Sequence, residues 1–222
     1  MAPTFGRRRR PRASKHVDDL DELNELEAPD ELDVELLDTQ MEMTSSLMFS
    51  VEMKEHQLGI VSHCARVSLT AGWLARQVGV QGDAFHDVQF AARMHEVGMI
   101  SVPPALLRKR GALTPDELER IRSQARIGAE IARTMRRPLA ALLIEHQYTD
   151  YAELETLVSP RSREFLLVGL LRVADVFDAM TTPRPYQSAL PEQRRIEILR
   201  AGAGTRFHPR AVEALLHGWG AG

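Results

Sequence analysis

Residues 91–103 read AARMHEVGMISVP and place His95 beside Glu96 where an apolar helix is expected to end. Counting back from His95 at helical spacing gives apolar residues at three positions, Ala92, Val88 and Phe85. The histidine is therefore predicted on the buried face of that helix. A buried imidazole needs a partner, and in isolation this stretch favours a backbone carbonyl as that partner over a metal ion.

The rest of the chain also has the pattern of helices. Aromatic residues make up 5% of the sequence, and alternating strand patterns are almost missing. Residues 165–177 are apolar or small apart from Arg172 and Asp175, which is typical of a helix buried on nearly all sides. The sequence therefore predicts an all-α bundle of about seven helices, with a helix from Ser162 to Met180 at its centre.

Local signals give the bounds of other helices. Leu113-Thr-Pro-Asp-Glu117 predicts a capping box at the start of a helix that continues to about Met135. A second helix is predicted from Asp83 to Val97, and Pro138 opens the segment that leads to residues 145–147. A first helix is predicted from Gln57 to Val78, and its expected inner face is Leu58, Val61, Ala65 and Leu69.

The charge pattern divides the chain into three parts. Residues 1–38 hold a run of arginines followed by eleven carboxylates, so this tail is predicted to be disordered. Residues 39–56 are methionine-rich and predict an amphipathic lead-in helix that packs on its own domain or, as the alternative, on another subunit. Residues 57–218 are predicted to form one helical domain.

Composition excludes several classes of protein. Beyond residue 38 the chain has 22 basic and 20 acidic residues, so it lacks the excess of basic residues that is typical of a nucleic-acid-binding domain. The longest apolar run, residues 165–171, is far shorter than the roughly 20 residues of a membrane span. Cys64 is the single cysteine, it is expected to pack rather than react, and with no secretory leader it indicates a cytoplasmic protein.

Asp175 needs a partner if it is buried in the central helix, because an isolated buried carboxylate is costly. One interpretation pairs it with Arg172, one helical turn away. The other makes it a ligand to a metal ion. The residues alone leave both open.

Three motifs in order, AARMHEVGMISVPPALLRKRGALTPDE, VADVFDAMTTPRPYQ and GAGTRFHPRAVEAL, resemble the HD-GYP family. That family is a branch of the metal-dependent HD phosphohydrolases and cleaves cyclic di-GMP. The resemblance covers about Gln57 to Leu216 and implies an HD-type bundle that binds Fe or Mn. It implies candidate metal ligands at His63, His95, Glu96, His146 and Asp175, with His95 and Glu96 catalytic if the protein is active.

The sequence also departs from the family at positions that bind metal or substrate in that family. Glu96 stands where the family has aspartate, and Met99 stands where a lysine would bind the scissile phosphate. An expected histidine falls on Gln124, and the His-His-Glu set aligns with residues 145–147, unless the alignment shifts by one. The Asp-Gly-x-Gly-Tyr-Pro loop is replaced by residues 150–155, which lack glycine and proline.

These departures predict a degenerate member that acts as a regulatory or protein-interaction module, with hydrolysis absent or very weak and with the metal either retained or lost. Expected partners are a diguanylate cyclase, a response regulator or a second copy of the chain, with cyclic di-GMP a possible ligand. The alternative is an active metal-dependent phosphodiesterase with a reduced site. Other HD-type nucleotide hydrolases and a purely structural helical protein are further alternatives.

Overall fold

The computed structural model describes residues 31–109, 111–183 and 188–219, with side chains from Thr39 to Gly218. The chain divides into two compact units, residues 1–40 and 41–222. The described residues form these helices: α1 Glu31–Leu58, α2 His63–Gln77, α3 Asp83–Met94, the 3-10 helix η1 Val97–Ser101, α4 Pro104–Leu107, α5 Pro115–Arg122, α6 Gln124–Thr134, α7 Pro138–Glu145, α8 Tyr151–Leu157, α9 Arg163–Thr181, α10 Glu192–Gly202 and α11 Pro209–Trp219.

The all-α fold class is confirmed. Within the described ranges, the β-structure consists of an isolated bridge between Ala203 and Phe207. In the part of the chain that the structure describes, the α-helices number eleven rather than about seven, because several predicted helices are divided and short ones fill the turns. No helix in this part of the chain has the length and apolar character of a membrane span.

Helix α9 lies at the centre, as its apolar sequence predicts. The side chain of Ser162 caps its first turn by accepting a hydrogen bond from the backbone N–H of Phe165. Eleven of its nineteen residues are buried, and it packs against α2, α3, α7 and α11. The carboxylates of Asp175 and Asp178, one turn apart on α9, are therefore held in the middle of the bundle.

The capping box before α5 is also confirmed. Thr114 accepts a hydrogen bond from the backbone N–H of Glu117, and the Glu117 side chain accepts one from the N–H of Thr114. The prediction of one helix continuing to Met135 is wrong, because the chain breaks at Ser123 and begins α6 at Gln124.

The predicted inner face of the first helix is wrong. Val61 and Leu69 are 56% and 71% exposed, and Leu58 belongs to α1 instead. The buried side of α2 carries Cys64, Val67, Ala71 and Leu74. Two sets of residues three or four apart run along this sequence, and packing against α3 and α9 selects the second set.

One boundary also differs from the prediction. Helix α1 begins at Glu31, inside the segment predicted as a disordered tail, and residues 1–30 lie outside the described residues. Residues 150–155, which align with the family's loop, form the N-cap at Asp150 and the first residues of α8. The Arg-Pro-Tyr stretch at residues 184–186 also lies outside the described residues.

Candidate metal centre

His63 is the first residue of α2, and its ring is fixed by a carboxylate. Its Nδ1 atom lies 2.7 Å from Oδ2 of Asp178. Because a carboxylate only accepts, Nδ1 carries the proton of this bond. The other ring nitrogen, Nε2, lies 3.3 Å from Oδ1 of Asp175 and 4.0 Å from Oε1 of Glu96.

Asp178 is itself held by Arg66, one turn after His63 on α2. The guanidinium donates from Nε at 2.6 Å and from Nη2 at 3.0 Å, and the hydroxyl of Thr182 donates at 3.2 Å. Burial raises the pKa of Asp178, but hydrogen bonds from His63 and Arg66 more than offset it and lower the pKa to about 2. Asp178 is therefore an ionised carboxylate that sets the orientation of the imidazole.

The surroundings of His63 favour positive charge. Burial lowers its pKa, but hydrogen bonds to Asp175 and Asp178 and the charge of Glu96 outweigh burial and raise the pKa to about 10. The carboxylates that hold a proton at this place would also favour a metal cation in its stead, since metal and proton compete for the same nitrogen.

His95 follows the last residue of α3 and is 1% exposed. Its Nδ1 donates to the carbonyl oxygen of Ala92 at 2.8 Å, so Nε2 is left with a lone pair. Among the described residues Nε2 has no hydrogen-bond partner, although Oδ1 of Asp175 lies 3.8 Å away. A buried nitrogen without a partner suits a metal ligand better than a core histidine.

The donor atoms of His63, His95 and Glu96 all lie within 4.8 Å of one another. Asp175 borders this group and is half-buried on α9. Two imidazole nitrogens and two carboxylates, drawn from α2, α9 and the turn after α3, form a donor set that fits a divalent metal. Burial raises the pKa of Asp175, whereas the hydrogen bond from His63 and the charge of that ring lower it below its usual value.

The interpretation that Arg172 pairs directly with Asp175 is wrong, although the charge of Arg172 contributes to lowering the pKa of Asp175. Arg172 lies with its Nη2 atom 3.5 Å from Oδ1 of Asp150, while Asp175 is hydrogen-bonded to His63. A residue three positions away on a helix shares the same face, but the arginine extends towards the start of α8 instead.

His146 is placed at the end of α7, where its Nδ1 lies 3.4 Å from the hydroxyl of Thr149. It belongs to neither of the two groups of possible metal ligands found in the described part of the chain. Its role as a metal ligand stays a prediction, as does metal binding by His63, His95, Glu96 and Asp175.

Two glutamine side chains donate hydrogen bonds to the backbone carbonyl of His95. The amide nitrogens of Gln124 and Gln147 lie 3.1 and 2.9 Å from the carbonyl oxygen of His95, and Gln124 also donates to the hydroxyl of Tyr148 at 2.9 Å. Both glutamines are buried, and Met99 is buried on η1. The two amides therefore supply hydrogen bonds to the turn that carries His95.

Sequence reasoning missed Asp178 and Arg66. Each stands one helical turn after a predicted ligand, Asp178 after Asp175 and Arg66 after His63. That common spacing of three is the signal in the sequence, because it places a supporting residue on the same face as the ligand it supports.

Comparison with known proteins places these residues in context. The sequence pattern of the HD domain matches residues 60–180, which include every residue of the candidate metal centre. A cyclic di-GMP phosphodiesterase of Thermotoga maritima is 31% identical over 180 residues, 79% of this chain and 48% of the relative. A cyclic di-GMP phosphodiesterase response regulator of Xanthomonas campestris pv. campestris is 31% identical over 190 residues, 83% of this chain and 49% of the relative.

A 3'3'-cGAMP-specific phosphodiesterase of Vibrio cholerae is 28% identical over 190 residues, 84% of this chain and 36% of the relative. The chain spans about half the length of the first two relatives and less of the third.

Proposed function

The chain belongs to the HD domain family, and on this premise we propose that it is a metal-holding module of bacterial cyclic di-GMP signalling that acts by binding and has lost efficient hydrolysis. The relatives named as cyclic di-GMP phosphodiesterases support the signalling context. The observation that carries the loss of hydrolysis is the pair of buried glutamines hydrogen-bonded to the carbonyl of His95.

The residues that would hold a divalent metal, Fe or Mn, are His63, His95, Glu96 and Asp175. Such a metal, when bound, lowers the pKa of a coordinated water and neutralises phosphodiester charge. The chain's own part is orientation: Asp178 keeps Nε2 of His63 directed at the carboxylates, and Ala92 does the same for His95 through its carbonyl. Glu96 and Asp175 supply the negative charge that favours a cation.

Efficient hydrolysis needs more than this set. Gln124 and Gln147 are amides committed to the carbonyl of His95, so a second ion there would be short of imidazoles. Met99 cannot donate to a phosphate as a lysine would. Each lost transition-state contact costs about 2.7 to 4 kcal/mol, so several together would reduce turnover by many orders of magnitude.

Regulation through binding to a protein partner is the role that remains. Helix α8 replaces the loop of the family and exposes Leu157, and α1 exposes Met41 and Phe49. Exposed apolar side chains on two helices suit a protein partner. We infer a diguanylate cyclase, a response regulator or a second copy of the chain as that partner.

The test is metal analysis and hydrolysis with the full chain. We expect purified protein loaded with Fe²⁺ or Mn²⁺ to retain a divalent metal, to lose it in His95→Ala and Asp175→Ala, and to show no detectable cleavage of cyclic di-GMP. Glu96→Asp should not restore cleavage, because Met99 and the glutamines remain. Robust cleavage by the wild-type chain, abolished in both alanine variants while they remain folded, would overturn the proposal.

The second candidate is an active phosphodiesterase with a reduced metal site. The intact support of His63 by Asp178 and Arg66 favours it, since a site that only packs has no need of an oriented imidazole. The same assay separates the two candidates, because the second requires turnover that follows metal content.

A further inference from the structure

Helix α2 begins without a cap of its own. Ser62 precedes it in the left-handed region, with φ 61° and ψ 23°, and its side chain makes no capping hydrogen bond. The first backbone N–H groups of a helix have no partner within the helix and need one from outside. This uncapped end is where His63 lies.

Glu55, on the preceding helix α1, supplies the missing acceptor. Its Oε1 atom accepts a hydrogen bond from the backbone N–H of Cys64 at 2.6 Å. Glu55 lies near the end of α1 and is buried, with 1% exposure, and the chain turns through Gly59, with φ 71°, before α2 begins. A carboxylate is favoured there, since the N-terminus of a helix carries partial positive charge.

We propose that Glu55 is a positioning residue for the metal centre, which holds His63 in place through the backbone of Cys64. His63 is thus fixed from two sides: Asp178 holds the imidazole, and Glu55 holds the first turn that carries it. This inference rests on the proposed metal site and adds α1 to the machinery that forms it.

A direct role in metal binding is the competing explanation. Donor atoms of Glu55, Cys64 and Glu96 also lie within 4.8 Å of one another. A ligand must keep its negative charge, whereas a cap needs only an oxygen that reaches the N–H of Cys64. Substitutions that separate charge from reach therefore distinguish the two roles.

The experiment is titration of the full chain with Mn²⁺, together with melting temperatures measured with and without the ion. Glu55→Ala removes the acceptor and should weaken Mn²⁺ binding by about 10- to 100-fold, the usual effect of losing a residue that supports a metal ligand. Glu55→Gln keeps an oxygen at the same reach and should bind nearly as the wild type does. The control is Glu52→Ala, an exposed residue of α1 paired with Arg93, which should leave Mn²⁺ affinity unchanged.

Glu55→Asp provides a second comparison if the alanine variant does not fold. It keeps the charge but shortens the side chain, so it should bind Mn²⁺ more weakly than Glu55→Gln. The reverse order would identify Glu55 as a ligand and overturn the inference. Wild-type affinity in a folded Glu55→Ala variant would also overturn it, whereas a wild-type chain that binds no Mn²⁺ would overturn the proposed metal site as well.

Discussion

Replacing Asp178 by asparagine tests whether His63 is oriented by a charged carboxylate. The carboxylate is buried and accepts four hydrogen bonds, from the His63 ring, twice from Arg66 and from Thr182. Asparagine has nearly the same shape but offers one oxygen and an NH₂ group. That NH₂ group must then face either the guanidinium or the ring nitrogen, and both carry protons in the native arrangement.

The cost in stability follows from the burial of the pair. Removing one partner of a buried ion pair costs about 3 to 5 kcal/mol. Because the side chain of Arg66 is 35% exposed, water can solvate it, and we expect the lower end, about 3 kcal/mol. A domain of this size loses about 2 to 4 °C of melting temperature per kcal/mol, so the fall should be about 6 to 12 °C.

Asp178→Asn should also weaken metal binding. If the amide donates to Nδ1 of His63, the ring proton moves to Nε2, the nitrogen that faces Asp175 and Glu96. The loss of a supporting carboxylate typically reduces metal affinity by about 10- to 100-fold. Thermal denaturation and Mn²⁺ titration measure the two effects separately.

The matched control is Asp87→Asn, which breaks an Asp–Arg pair of 2.9 Å with Arg137 away from the metal centre. Such a partly exposed pair contributes about 1 kcal/mol or less, so this variant should melt near the wild type and bind Mn²⁺ normally. If Asp178→Asn behaved like Asp87→Asn in both assays, the orienting role of Asp178 would be refuted.

Two further predictions concern the fold. Gly98→Ala should greatly reduce the yield or melting temperature, because the added Cβ atom would lie 2.0 Å from the backbone oxygen of Gln124. Gly72→Ala is the control, since its Cβ atom would meet only the flexible side chain of Gln89, at 2.9 Å, and this variant should be tolerated. Equal melting temperatures of the two variants would contradict the prediction. Deleting residues 1–38 should leave the melting temperature nearly unchanged, since a charged tail buries little surface, and a large fall would show that the segment packs on the domain.

The fold was predictable where the deciding interactions are local. The capping box at Thr114 and Glu117 spans four residues, and the apolar run of α9 indicates burial without reference to any neighbour. The inner face of α2 was not predictable in this way, because Leu69 and Val67 belong to two sets of similar spacing. Only packing against α3 and α9 decides between them.

In the candidate site, the ligands could be predicted from the sequence, whereas the contacts that orient them could not. Family resemblance places His63, His95, Glu96 and Asp175 among the candidates, and the structure brings the four together. The contacts that orient them join distant parts of the chain or depend on side-chain direction. His63 and Asp178 are 115 residues apart, so no local pattern reveals their hydrogen bond.

The two glutamines that donate to the carbonyl of His95 have a consequence for the turn that carries this residue. That carbonyl follows the last residue of α3, where helix geometry leaves oxygens without partners, and the two amides satisfy it. Exchanging either glutamine for a side chain that cannot donate at the same reach would deprive the oxygen of one of its two donors. Positions 124 and 147, which are distant in the chain from His95, therefore share the task of holding the turn that presents the imidazole.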